Sequence, residues 1–229
     1  MPNVIADDTQ HTVIPPHVIS TLKSIQHFLV EDARTARRYL SSLKIFESIE
    51  SLHFEVLNKD TPATDLQDLM RPLQNGYHIG IISESGCPGV ADPGSMAVAY
   101  AHQNNIQVVP LVGPSSILLA LMASGLSGQK FAFHGYLPVE AKEAERMIKE
   151  LERESELKNQ TQLFIETPYR NNQVLDHLLR TLKPETKLTI ALEITGVQEN
   201  IRTKSVRDWK ISKPTLPKAP CLFLFGQSA

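Results

Sequence analysis

Short β-rich runs alternate with helical segments along this chain, and that alternation predicts an α/β protein. A second observation sharpens the prediction. His78-Ile79-Gly80-Ile81-Ile82-Ser83 is almost continuously apolar, which suits a strand buried on both faces of a parallel sheet. A third is that loops rich in Gly and Pro follow two of the runs, at 84–94 and 112–114.

Pro15 and Pro16 open a helix through Lys23, His27 to Glu31 reads as a strand, and Ala33 to Ser42 as a basic amphipathic helix. Leu52 to Leu57 is strand-like. Thr61 caps a helix with Pro62 at its first position, running toward Gln74 and closed by Asn75-Gly76. Tyr77 to Ser83 is the central strand, Ser95 to Gln103 a helix, and Ile106 to Leu111 another buried strand. Gly113-Pro114 then interrupts the chain before an apolar helix from Ser115 to Ser124. The domain boundary is placed here, giving units of 1–112 and 113–229. Beyond it, strands are expected at Phe131 to Tyr136, Gln162 to Glu166, Lys187 to Glu193 and Cys221 to Phe225, with helices at Glu140 to Leu157 and Asn172 to Leu182. Each unit then holds about 110 residues, a normal domain size.

Composition narrows the partners. The 229 residues are 41% apolar and 21% charged, with a net charge of 23 − 25 = −2, so the chain is globular and carries no blanket charge for nucleic acid or a membrane surface. Two cysteines, Cys87 and Cys221, make no disulfide framework and point to a reducing, cytoplasmic location. The eight histidines show no metal-ligand spacing, so no metal is expected. Apolar runs such as Ile117 to Ala123 fall short of the roughly 20 residues of a membrane span, and the start has no apolar signal region.

Chemistry concentrates in three loops that follow strands. Ser83 to Gly94 packs glycines and prolines into a rigid segment displaying main-chain groups, at the strand end where open α/β sheets bind ligands. It is neither a Walker loop nor GxGxxG, and a ligand-free strand-to-helix connection also fits it. Gly113-Pro114-Ser115-Ser116 offers two hydroxyls to a ligand or to helix capping. Glu166-Thr167-Pro168-Tyr169-Arg170 joins a carboxylate, an aromatic ring and a guanidinium, or forms an ordinary exposed turn. Three such loops around one domain boundary suggest a shared interdomain cleft.

In order along the chain, Val30 to Leu40, Ser83 to Gly94, Val109 to Ser116 with Ala123-Ser124-Gly125-Leu126, and Phe164 to Arg170 resemble the tetrapyrrole methylase superfamily. Phe131 to Pro138 adds a weaker match. The nearest resemblance is to the branch of small-subunit ribosomal RNA cytidine 2′-O-methyltransferases. It implies two α/β domains, a mostly parallel N-terminal sheet and a mixed C-terminal sheet, a homodimer, and S-adenosyl-L-methionine in the interdomain cleft. Carried across by position, Ser85, Gly86, Cys87 and Val90 contact the cofactor, Ser115 and Ser116 line its other side, and Glu166, the segment Glu193-Ile194-Thr195 and Ala219-Pro220 complete the wall. The implied substrate is ribosomal RNA or the small ribosomal subunit.

Two departures stand out. The family opens with a strand and a Gly-Thr-Pro-Ile-Gly-Asn-like loop, where this sequence reads Met1-Pro2-Asn3-Val4-Ile5-Ala6-Asp7, a first strand either trimmed or unusually short. It also carries Glu84-Ser85-Gly86-Cys87-Pro88-Gly89 in place of Asp-Ala-Gly-Thr-Pro-Gly, which fits a divergent sister group. A ribose hydroxyl acceptor benefits from a general base, for which Glu31, Asp32 and Glu166 are candidates. Glu31 and Asp32 equally suit a helix cap. Arg34 and Arg37, with Arg38 on the same helix, and Arg170 are candidates for gripping RNA phosphates, a solvated helix face being the alternative for the first three. Methylation of a tetrapyrrole or another small metabolite, and a cofactor-binding relative without catalysis, remain open beside the RNA reading.

Overall fold

The computed structural model describes residues 1–227, which divide into two compact units, Met1–Ser115 and the chain from Ser116 onward. In the first unit three parallel strands, β1 (His27–Val30), β2 (His53–Val56) and β3 (Ile79–Ile82), lie in the order β2-β1-β3. Helices α1 (Gln10–Val13) and α2 (Pro16–Leu22) precede them, α3 (Ala33–Ser42) joins β1 to β2, and α6 (Ser95–Gln103) follows β3. Successive residues of β1 feed opposite faces. Phe28 and Val30 pack with Val18, Leu22 and Leu40, while Leu29 packs with Leu57, Met70, Ala97 and Ala101. Helix α3 turns Ala36, Tyr39 and Leu40 inward at helical spacing. Complete burial of Leu22 and Leu40 contributes roughly 1.5–3 kcal/mol each.

Two expectations in this unit are corrected. The helix expected from Thr61 to Gln74 is instead a 3-10 turn at Ala63–Asp65 and two single-turn helices, α4 (Leu66–Leu69) and α5 (Arg71–Gln74). Thr61 caps nothing: its hydroxyl accepts from the Asn58 amide, and Pro72 at the second position of α5 cannot donate back into the preceding turn. The strand expected at Ile106–Leu111 is absent, because no strand lies beside it to share a ladder. On the outer edge of β3, the Met1 ammonium donates to the Ile81 carbonyl, and an apolar groove of about 220 Å³ lies between Ile79, Ile81, Ile106 and Val108.

The second unit holds a mixed sheet of five strands, β4 (Phe131–Tyr136), β5 (Thr161–Glu166), β6 (Lys187–Leu192), β7 (Asn200–Ser205) and β8 (Cys221–Gly226), ordered β4-β5-β8-β6-β7. Among the described residues of this sheet, only β4 and β5 pair in parallel. Ile148 of α8 (Ala141–Lys158), Leu175 and Leu178 of α9 (Asn171–Thr181), and Trp209 of α10 (Val206–Ile211) cover one face, over Phe164, Phe223 and Phe225. Helix α7 (Ser116–Ser124) covers the other through Ile117, Ala120 and Leu121 against Leu163, Leu222 and Leu224. Strand β7 and helix α10 were not foreseen. Asn-Ile-Arg-Thr-Lys-Ser has one apolar residue, as an edge strand with a solvated face allows, and Trp209 is anchored by donating its indole N–H to the Leu188 carbonyl at 2.7 Å.

Candidate functional site

In the first unit, candidate residues collect at the carboxyl ends of β1 and β3. Glu31 follows β1, and its carboxylate accepts from the Glu84 amide beyond β3 at 3.2 Å. The Ser83–Gly94 loop is held in a tight shape: Gly86, Gly89, Ala91 and Gly94 all have positive φ, and Ala91 at 65° is a strained conformation for a residue with a side chain. Gly86 donates to the Val4 carbonyl and accepts from the Asn3 amide, while the Asn3 side chain donates to the Ser83 and Glu84 carbonyls. The main-chain groups of Gly86 are therefore already engaged. Ser85 and Val90 are exposed.

The structure brings this loop to the 113–114 segment. Burial pushes the Cys87 thiol up, keeping it protonated, and it donates to the Pro114 carbonyl at 3.3 Å. Gly113 lies so close to Pro2 that a Cβ there would sit 2.0 Å from the ring. Ser115 ends the first unit and Ser116 begins α7.

Asp92, which the sequence presents only as part of a backbone loop, is the one carboxyl in this group that is strongly displaced. Burial first, then the charge of Glu31 and last that of Glu84, pushes it up to about 6, against a smaller opposing effect of the nearby Ser83 hydroxyl. The Asp-Pro-Gly turn was visible, but a tertiary effect of this kind has no sequence signal. Asp32 has a different role. Its carboxylate accepts from the Thr35 amide at 2.7 Å, caps α3, and is held below the usual carboxylate range mainly by that bond. Arg34 is exposed on α3, and Arg37 lies over the Phe54 ring at 5.0 Å.

In the second unit, the candidates gather where β5 and β6 end and β8 begins. Glu166 is buried at the end of β5; its Oε1 accepts from the Thr167 amide at 2.7 Å, and its Oε2 lies 3.4 Å from the Arg170 guanidinium. Arg170 also donates to the Leu137 and Pro138 carbonyls, so it ties β4 to the Glu166 turn. Glu193 donates its amide to the Pro220 carbonyl, and the Asn171 side-chain amide donates to the Ala219 carbonyl at 2.7 Å. Glu193 and Thr195 both hold left-handed φ, at 47° and 69°. Three buried polar atoms here have no partner, Arg170 Nε, Asn171 Oδ1 and Thr195 Oγ1, while Glu166 Oε2 has only its ion pair with Arg170. Orphans of this kind are costly unless a ligand satisfies them.

Comparison with known proteins shows what this chain is similar to. No protein-family model matches the chain. The solved structure of the methyltransferase CobJ superposes with a TM-score of 0.61, covering 95% of this chain and 89% of that one at 16% identity. Uroporphyrin-III-C-methyltransferase from Thermus thermophilus does so at 0.53, covering 93% and 87% at 17% identity. The fold is therefore that of the tetrapyrrole methyltransferases.

By sequence, the chain is 30% identical over 184 residues to ribosomal RNA small subunit methyltransferase I of Synechocystis, and 32% over 189 residues to that of Vibrio cholerae. These matches cover 80% and 82% of this chain, which spans 63% and 62% of the two relatives. The protein of that name in Haemophilus influenzae is 28% identical over 92% of this chain and 72% of its own length. The chain thus shares its fold with the tetrapyrrole methyltransferases and is similar in sequence to proteins named ribosomal RNA small subunit methyltransferase I.

Proposed function

We propose that this chain is an S-adenosylmethionine-dependent methyltransferase that modifies small-subunit ribosomal RNA, at a ribose 2′-hydroxyl. The observation that carries the reading is the likeness to proteins named for that activity, which extends over about four-fifths of the chain. The cofactor contacts carried over from the resemblance are Ser85, Cys87, Val90, Ser115 and Ser116. Glu166, Thr195 and Pro220 are carried over in the same way, and the Thr195 hydroxyl is a buried group without a hydrogen-bond partner. Bound there, S-adenosylmethionine supplies an electrophilic methyl group on a sulfonium.

The protein's own contribution is positioning and a proton acceptor. Glu31 and Asp92 share the strand ends of the first sheet, and a carboxyl that titrates at about 6 is ionised at neutral pH yet basic enough to receive a hydroxyl proton. Asp32 and Glu166 are occupied as cap and turn anchor. Arg34 and Arg37 offer phosphate contacts; Arg170, turned inward, supports the site rather than the substrate. The homodimer implied by the resemblance and a cytoplasmic location complete the reading; among the described residues no helix is long and apolar enough to cross a membrane.

The test is transfer of radiolabelled methyl from S-adenosylmethionine to small ribosomal subunits, beside calorimetric titration with the cofactor. Label in a ribose of the small-subunit RNA supports the proposal. Saturable cofactor binding without transfer to RNA, but with transfer to a tetrapyrrole, overturns the substrate; no binding overturns the activity.

A further inference from the structure

At the end of the first sheet remote from the Ser83–Gly94 loop, three aromatic rings stand in a row. His53 on β2 and His27 on β1 are register partners, and their rings stack at 4.7 Å and 15°. Tyr77, just before β3, tilts over His27 at 4.8 Å and 59°. His53 and Tyr77 are exposed, and His27 is half-buried between them. A cavity of about 360 Å³ opens beside the row, with Glu55 and Asn75 in its wall and Arg71 held at the rim by Asp68. One pleat further along β1, Leu29 is buried under Met70 and Ala97 as an ordinary core residue. Rings at the open end of the same face add little to that core, whereas they present π surface to a pocket of ligand size.

We propose that the His53–His27–Tyr77 row is a stacking platform for an unpaired nucleobase of single-stranded RNA, an inference that rests on the RNA-methyltransferase reading. Bases are held on aromatic rings by stacking, whatever their sequence. The Asn75 amide can donate and accept, and the Glu55 carboxylate accepts, which matches the mixed edge of a base. Burial, then the neighbouring His53, keeps the His27 titration below the ordinary histidine range, so the central ring is neutral at physiological pH. The charged groups around it are Glu55, Asp68 and Arg71, the last two paired. A contact here holds RNA at a distance from the methyl-transfer loops, as positioning of a large substrate requires.

The experiment titrates the full chain with a short unstructured oligoribonucleotide, following the His27 and His53 ring-proton resonances, and repeats it with His53→Ala and Tyr77→Ala. Both substitutions are at exposed positions of the row. Ring resonances move on addition of RNA, and each variant binds the oligonucleotide about tenfold more weakly, with S-adenosylmethionine affinity unchanged. Unmoved resonances, or variants that bind RNA as the parent does, overturn the platform. If the rings respond to RNA while the parent binds no S-adenosylmethionine, the platform stands and the methyltransferase reading falls. If the parent binds the cofactor while the rings stay silent, the platform falls and the methyltransferase reading stands.

Discussion

Asp92 carries a proton further up the pH scale than a free aspartate, to about 6, because burial and the charge of Glu31 both oppose its ionisation. The folded chain therefore holds that proton more tightly than the unfolded chain. Its stabilising contribution is complete below the ordinary carboxylate range and is lost as pH rises through about 6. Asp92→Asn is expected to raise stability by about 1 kcal/mol near pH 7.5 and to leave it unchanged near pH 4; that figure lies well under the full shift because the group is partly solvated. Melting curves at the two pH values check it. As the proposed proton acceptor, Asp92 is expected to make the parent's kcat fall below about pH 6, and its amide variant to lose about 100-fold or more in kcat; a pH–rate profile of both checks it. Thr195 gives a second residue-level test. Its buried hydroxyl has no partner while its amide donates to Glu199 at 2.7 Å. Thr195→Val keeps the shape and removes the orphan, so the free protein gains about 1 kcal/mol, while affinity for S-adenosylmethionine drops about tenfold. Thermal melting and calorimetry on one sample read both signs.

Among the elements, helices with an end signal and a clear apolar stripe were legible residue by residue. Helix α3 starts after Asp32 and runs to Ser42 as its spacing requires, and α6 begins directly after Gly94. The Asp32 assignment is testable. Asp32→Ala loses the bond from Thr35 and lowers Tm by about 2 °C, while the pH profile of kcat stays as in the parent, since a cap does not exchange protons with substrate. What was not legible depended on neighbours. Residues 106–111 include β-branched Ile106, Val108 and Val109, yet a strand needs a partner ladder, and the adjoining edge of β3 meets Met1 and a groove instead. Residues 61–74 carry start and stop signals for one helix, but Pro72 removes a donor within the run, which forms short turns instead. The site divides in the same way. Its loops were visible as Gly- and Pro-rich punctuation after strands, but the orphaned atoms at Arg170, Asn171 and Thr195, and the displaced Asp92, arise from burial by segments remote in sequence.

At the scale of the whole molecule, each unit builds its own apolar cores, and they differ in how well they shield their sheets. Strand β8 lies inside the five-stranded sheet, bonded to β5 and β6, with all six residues buried and Phe223 and Phe225 beside Phe164. Strand β2 is an edge of a three-stranded sheet, with three of its four residues exposed. Opening free energy follows buried apolar contact and ladder pairing, so β8 and its neighbours form the last structure to open, and β2 is among the first. Native-state hydrogen exchange is expected to rank their amides in that order. Phe223→Ala supplies the decisive perturbation, because a fully buried phenylalanine truncated to alanine leaves a cavity worth roughly 3–5 kcal/mol. Protection in β5, β6 and β8 falls by that amount, about 200-fold or more in exchange rate at the limit of global opening, with the amides of β1 serving as internal reference. Equal loss in β1 would mean that the two units unfold as one cooperative body, and the separate-core account of stability would have to be abandoned.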